Sequence, residues 1–112
     1  MKGPFEIHPD PANSRAVVAF AAQCHQARTR EHEAELANLV ESFDAVACDL
    51  TGTDAIASEW LRWLARLTKR AHRTGKTLAL VGMRESVRKT TDDIALRNDL
   101  VVVNTVNEVW AL

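Results

Sequence analysis

Ser58, Glu59 and Trp60 place a hydroxyl, a carboxylate and an indole in succession within TGTDAIASEWLRWL, Thr51 to Leu64. The hydroxyl can accept a phosphate, the carboxylate carries a standing negative charge, and the indole either fills a core or anchors a partner. The other reactive groups are scattered. His8, His25, His32 and His72 show no HExxH or similar metal-ligand spacing, and His25 beside Cys24 reads as incidental rather than as half a zinc site. The four glycines, Gly3, Gly52, Gly75 and Gly82, write neither a P-loop nor a dinucleotide fingerprint. Asp44, Asp49 and Asp54 lack the paired acids of a receiver-type pocket. With no nucleophile, base and metal set to assemble, the expectation is a protein that is not an enzyme and needs no metal or cofactor.

The chain of 112 residues, 46% apolar and 26% charged, fits one domain over 1–112 with a real core. Its apolar runs fall far short of the ~20 residues that span a bilayer, and the N-terminus lacks a signal-peptide apolar region, so the expected location is cytoplasmic, without membrane insertion. Cys24 and Cys48 lie in or beside apolar strand-like segments, where an unpaired cysteine behaves as a small hydrophobe. The net charge of −1 divides unevenly: residues 1–56 carry four basic and nine acidic groups, and residues 57–112 carry ten and six. The first half is therefore at −5 and the second at +4.

Phe5 to His8 alternates apolar and polar, PDPANS turns the chain, and Arg15 to Ala22 reads as a second strand, so the two predict an antiparallel hairpin. From Thr29 to Phe43 the period changes. Leu36, Leu39, Val40 and Phe43 fall at i, i+3, i+4 and i+7, Thr29 caps, and early glutamates suit the helix dipole. Asp44 to Leu50 predicts a strand covered on both faces. A helix from Ser58 to Thr74 is stopped by Gly75, followed by a TLALVG strand and a helix from Ser86 to about Arg97. A strand over Leu100 to Val103 and a terminal turn capped by Thr105 and Glu108 close the chain. The order β-β-α-β-α-β-α-β-α predicts an α/β fold with a central mixed sheet, parallel in its later half, and helices mainly on one face.

On a helical wheel Leu61, Leu64, Ala65, Thr68 and Ala71 form the core face of the 58–74 helix. Trp60, Trp63 and Leu67 widen the apolar arc to about 200°, against a usual minimum of about 100°. This shoulder is either covered by the neighbouring helix around Val87 and Ile94 or is a patch for a partner or for a second copy as a homodimer. Opposite lie Arg62, Arg66, Lys69, Arg70 and Arg73, a strip that is either solvated or an electrostatic dock for an acidic partner or for the phosphate groups of a nucleotide or lipid. Nucleic-acid binding is not expected, because no aromatic residues interleave with these cations.

With DLTGTDAIASEWLRWL, GKTLALVGM and VVVNTVNEVW in place, the chain resembles the STAS family, the domain of sulphate transporters and anti-sigma factor antagonists. The family pattern after its third strand reads, in residue types, Asp-Leu-Ser-Gly, then apolar residues, then Asp-Ser-Ser/Thr-Gly-Leu opening a helix. Asp49, Leu50, Thr51 and Gly52 fit the first part, and Ser58 and Leu61 fit the second without a gap. Gly75, the Leu78 to Gly82 strand, Val87 with Arg88, and the capped terminal helix also fall on family positions. The resemblance covers residues 44–112 well. Residues 1–43 match in element order alone, the Gly-x-Leu-Asp of the family being absent from AAQCHQART.

This likeness implies a bacterial, non-catalytic regulatory module in transcription signalling. Its implied partner is an anti-sigma factor or related kinase-fold protein, bound through Ala57, Ser58, Glu59, Trp60, Arg62, Trp63 and Arg66, with phosphorylation of a hydroxyl as the switch. The other role implied is an accessory subunit beside the ATPase of a lipid transporter. The departures fall on the switch: the family's Asp corresponds to Ala57, its first Ser to Ser58, its phosphorylated Ser or Thr to Glu59, and its Gly to Trp60. Glu59 supplies permanently about half of the roughly −1.5 to −2 charge that a phosphate brings. Alternatively Glu59 is simply a favourable first-turn residue behind an N-cap at Ser58.

Overall fold

The protein is described from a computed structural model that covers residues 3–25, 29–94 and 98–112. Strands β1 (Phe5–Asp10) and β2 (Arg15–Phe20) form the expected antiparallel hairpin, closed by a short 3-10 turn at Pro11–Asn13. Alternation sets its faces, since Ala16, Val18 and Phe20 of β2 are buried while the residues between them are half-exposed. Strands β4 (Ala45–Asp49) and β6 (Thr77–Val81) are buried on both faces, and both run parallel to their neighbours. The five-stranded order is β1-β2-β4-β6-β7, with β7 (Val102–Val103) at the far edge.

The helices obey their local signals. Helix α1 (Arg30–Ser42) is capped by Thr29, whose Oγ1 accepts from the His32 amide at 3.1 Å while its own amide donates to His32 Nδ1 at 3.4 Å. Helix α2 (Ser58–Arg73) ends in a Schellman pair, the Gly75 amide on the His72 carbonyl at 3.1 Å and the Lys76 amide on the Ala71 carbonyl at 2.9 Å. Gly75 has φ +74°, the left-handed conformation this ending requires. Helix α3 (Glu85–Asp93) and the terminal α4 (Val106–Trp110), the latter with its amide cap from Thr105 to Glu108, complete the set. The expected helix from Ser86 to about Arg97 starts one residue earlier and ends sooner, at Asp93 with Ile94 as its C-cap, while residues 95–97 lie outside those described.

Two cores result. The larger unites the apolar faces of α1 and α2 with one face of the sheet and Val87 of α3. On the other face a small cluster of Ala47, Ala79 and Val81 is covered by Val109 of α4, and Trp110 lies under the Arg15 guanidinium at 4.8 Å. Three expectations are corrected. The final strand is Val102–Val103 rather than Leu100 to Val103, since Leu100 is buried ahead of it and Val101 and Val102 are exposed at the edge. A second sheet was also missed: β3 (Gln23–Cys24) pairs in parallel with β5 (Ala55–Ile56). Two-residue strands carry too little periodicity to be seen in a sequence. Finally, Ser58 is not the N-cap of α2, because the extended Ala57 (φ −66°, ψ 141°) holds that position.

Cys24 and Cys48 are free and buried, and burial pushes their thiols from 9.0 up to about 11 and about 12 respectively. Above the ordinary thiol range the unfolded chain loses protons that the folded chain keeps, so stability is whole below about pH 9 and falls as pH rises beyond it. The urea midpoint should therefore drop between pH 8 and pH 10.5, and by less in a Cys24→Ala, Cys48→Ala variant. An equal drop in both proteins would show that the thiols are not its cause.

Candidate protein-contact site at the start of helix α2

The stretch from Leu50 to Ala57 leaves β4, crosses the edge of the mini-sheet and delivers the chain to α2. It is anchored from beneath. Leu50 and Thr53 are fully buried; the Leu50 amide donates to the Val81 carbonyl at 2.9 Å, and Thr53 Oγ1 donates to the Ala21 carbonyl at 3.0 Å. The amides of Asp54 and Ala57 reach the carbonyls of Ala22 and Cys24 at 2.8 and 2.9 Å. A buried hydroxyl without a partner costs free energy, so Thr53 ties the loop to the 20–24 segment. At the outer tip, Thr51 donates its amide to Asp49 Oδ1 at 2.9 Å and its hydroxyl to the same carboxylate.

The residues singled out in the sequence divide sharply at this point. Ala57 and Ser58 are half-buried, Glu59 is exposed one residue into the helix from Ser58, and Arg62 and Arg66 are exposed below it. Ser58 makes no side-chain cap, so its hydroxyl is not spent on the helix amides. Among the described residues, Glu59, Arg62 and Arg66 have no ion pair, whereas Arg70 and Lys69 lower on the same face reach Glu41 at 3.0 Å and Asp99 at 3.2 Å. The strip is thus free at its upper end and partly neutralised at its lower end.

Trp60 and Trp63 do not belong to this surface. Trp60 has 0% exposure and Trp63 has 7%, which corrects the expectation that they present a partner patch. For Trp60 the aromatic cover comes from the hairpin and α1 rather than from the α3 region expected as the alternative. The Trp60 indole is ringed by Phe5 (6.1 Å), Phe20 (6.0 Å), His32 (6.0 Å) and Trp63 (5.9 Å), and its contacts with both phenylalanines and with Trp63 are edge-on. Phe5, Phe20 and His32 come from β1, β2 and α1, whose closure over α2 makes the shoulder interior, and Trp63 stands one turn along α2 itself; edge-to-face contact of this kind adds to burial.

Sequence reasoning passed over Thr53, Arg84 and Ser86. Arg84 Nε donates to the Thr51 carbonyl at 2.8 Å and its Nη1 pairs with the Asp54 carboxylate, while Ser86 Oγ donates to the Asp54 carbonyl at 2.7 Å. No local pattern marks an arginine that reaches across to another loop. Among the described residues, no group of three or more His, Cys, Asp and Glu side chains is placed to hold a metal, and no helix is long and apolar enough to cross a membrane.

The model of the STAS domain matches residues 13–109, nearly the whole of this fold. The chain belongs to the STAS family. Solved STAS folds agree with its architecture. An anti-sigma-factor antagonist domain protein from Planctomyces limnophilus superposes with a TM-score of 0.75 over 99% of this chain and 98% of its own, at 14% identity. The anti-sigma factor antagonist SpoIIAA in its unphosphorylated form gives 0.74 over 93% and 90%, at 10% identity. A serine-to-glutamate variant of RsbS from Moorella thermoacetica gives 0.71 over 96% and 93%, at 16% identity. No curated protein matches significantly. The overall fold of this STAS domain is therefore that of the solved family structures.

Proposed function

We propose that this STAS domain is a non-catalytic regulatory module of the anti-sigma factor antagonist kind. It acts in the bacterial cytoplasm and binds a kinase-fold partner through residues 55–61 and the exposed face of α2. The observation that carries this reading is the exposure of Glu59 in the first turn of α2, beside a half-buried Ser58 that caps nothing. A carboxylate at that point faces unpaired helix amides and the positive end of the dipole, the environment that also favours a phosphate. The domain then holds a fixed, partly phosphate-like charge where the antagonists it resembles carry a modifiable hydroxyl. The solved folds that this chain resembles include an antagonist described by its phosphorylation state and a serine-to-glutamate variant, which supports a switch of this general kind. With the tryptophans in the core, the contact set reduces to Ala57, Ser58, Glu59, Arg62 and Arg66.

The reading is tested by calorimetric titration of the chain with the kinase-fold anti-sigma protein of its own cell. Saturable binding, weakened at least tenfold by Glu59→Lys, is expected, since a charge reversed at a desolvated contact costs at least ~1.4 kcal/mol. Binding indifferent to that change would place the contact elsewhere, and co-purification with a transporter ATPase instead would replace the antagonist role. After incubation with the same partner and ATP, mass spectrometry should find no phosphate in the Thr51 to Leu64 peptide. Stoichiometric phosphate on Ser58 would refute the fixed-charge idea.

A further inference from the structure

The turn between β6 and α3 grips the loop that leads into α2. Arg84 donates from Nε to the Thr51 carbonyl at 2.8 Å and from Nη1 to the Asp54 carboxylate, so one guanidinium holds both ends of the 51–54 turn. Ser86 adds a bond from its hydroxyl to the Asp54 carbonyl at 2.7 Å. Gly82, at φ +63°, lies so close that a Cβ on it would stand 3.0 Å from Thr51 Cγ2. The grip is external to the core: Thr51, Asp54, Arg84 and Ser86 are all exposed. Exposed pairs of this kind contribute little to global stability, so their effect is on the shape of the loop.

We propose that Arg84, assisted by Ser86, is a positioning residue that holds Thr51 to Asp54 so that Ala57, Ser58 and Glu59 are presented in one arrangement. A loop already ordered loses less freedom when a partner binds, and that is the gain. The purpose assigned to the grip rests on the reading of this loop as the contact surface, whereas its geometry does not. A guanidinium donates along two directions in a fixed plane, which an ammonium cannot copy, so the device needs arginine rather than mere positive charge.

Amide hydrogen exchange on the full chain without partner tests this directly. The reporters are the amides of Thr53, Asp54 and Ala55, bonded to the carbonyls of Leu50, Ala22 and Ala22, with Val46, Cys48, Leu78 and Leu80 in the strands as controls. In Arg84→Ala the loop amides should exchange about fivefold faster while the strand amides stay unchanged. Arg84→Lys should fail to restore protection, and Arg84→Ala combined with Asp54→Ala should show little more than either change alone. Unchanged loop exchange, equal acceleration in the strands, or full rescue by lysine would overturn the proposal. Partner affinity is read separately. A loss in Arg84→Ala supports the contact surface, while unchanged affinity with accelerated loop exchange would refute that surface and leave the positioning role standing.

Discussion

Trp60→Ala should cost this domain about 3–5 kcal/mol, the range for deleting a buried aromatic side chain. A domain of this size holds only ~5–15 kcal/mol in total, so the variant should be close to unfolding at ordinary temperature. The reason lies in its position: Trp60 has no exposed surface and is the one ring in contact with Phe5, Phe20, His32 and Trp63 together among the described residues. Removing it leaves a cavity that three separate elements cannot close without moving the sheet. Trp63→Ala should cost less, because its 7% exposure lets water relieve part of the void. Urea midpoints and melting temperatures check both. A Trp60→Ala protein that melts within a few degrees of the parent would show that the indole is dispensable to the core, contrary to the packing seen here. Trp60→Phe, which refills part of the space, should fall between the two.

Reversing Arg62 and Arg66 together to glutamate should slow association with an acidic partner about 10- to 100-fold at low salt, with the difference vanishing near 0.5 M salt, and leave stability almost unchanged. Like charges at i, i+4 disfavour a helix by a few tenths of a kcal/mol, and Arg62, Arg66 and Arg70 stack in that spacing. Lower on α2 the repulsion is offset by Glu41 on Arg70, by Asp99 on Lys69, and by the dipole at the C-terminal end. At the upper end Arg62 and Arg66 form no ion pair among the described residues, leaving Glu59 one turn away as the nearby carboxylate on the helix, and Arg62 stands near the positive pole. Cations placed there add little to the helix itself, and the proposed reading assigns them to the partner's approach. Stopped-flow association of parent and variant across a salt series decides the matter; identical rates at low salt would make the strip an ordinary solvated face.

Much of this architecture was legible before any coordinates. Thr29 and Thr105 cap where their spacing said they would, Gly75 closes α2 in the left-handed conformation, and the unbroken apolar run at Asp44 to Leu50 became a strand with both faces covered. Those signals work because each is local, written within one or two turns of backbone. The site was legible in part. Glu59, Arg62 and Arg66 are exposed, as the wheel and the helix start require, but Ser58 proved to sit inside the helix because Ala57 was able to take the extended cap conformation.

The tryptophans show where local reasoning stops. A wheel gives the angle at which an indole leaves the helix and says nothing of what stands opposite, and here Phe5, Phe20 and His32 arrive from distant parts of the chain. The same is true of Thr53, Arg84 and Ser86, whose partners belong to other elements, and of a mini-sheet too short to have a period. Sequence alone determined the kinds and order of the larger elements, the charge at the mouth of α2 and the family. Tertiary structure decided which apolar residues are interior and which loop holds which, because burial and cross-chain hydrogen bonds depend on segments brought together only when the sheet closes.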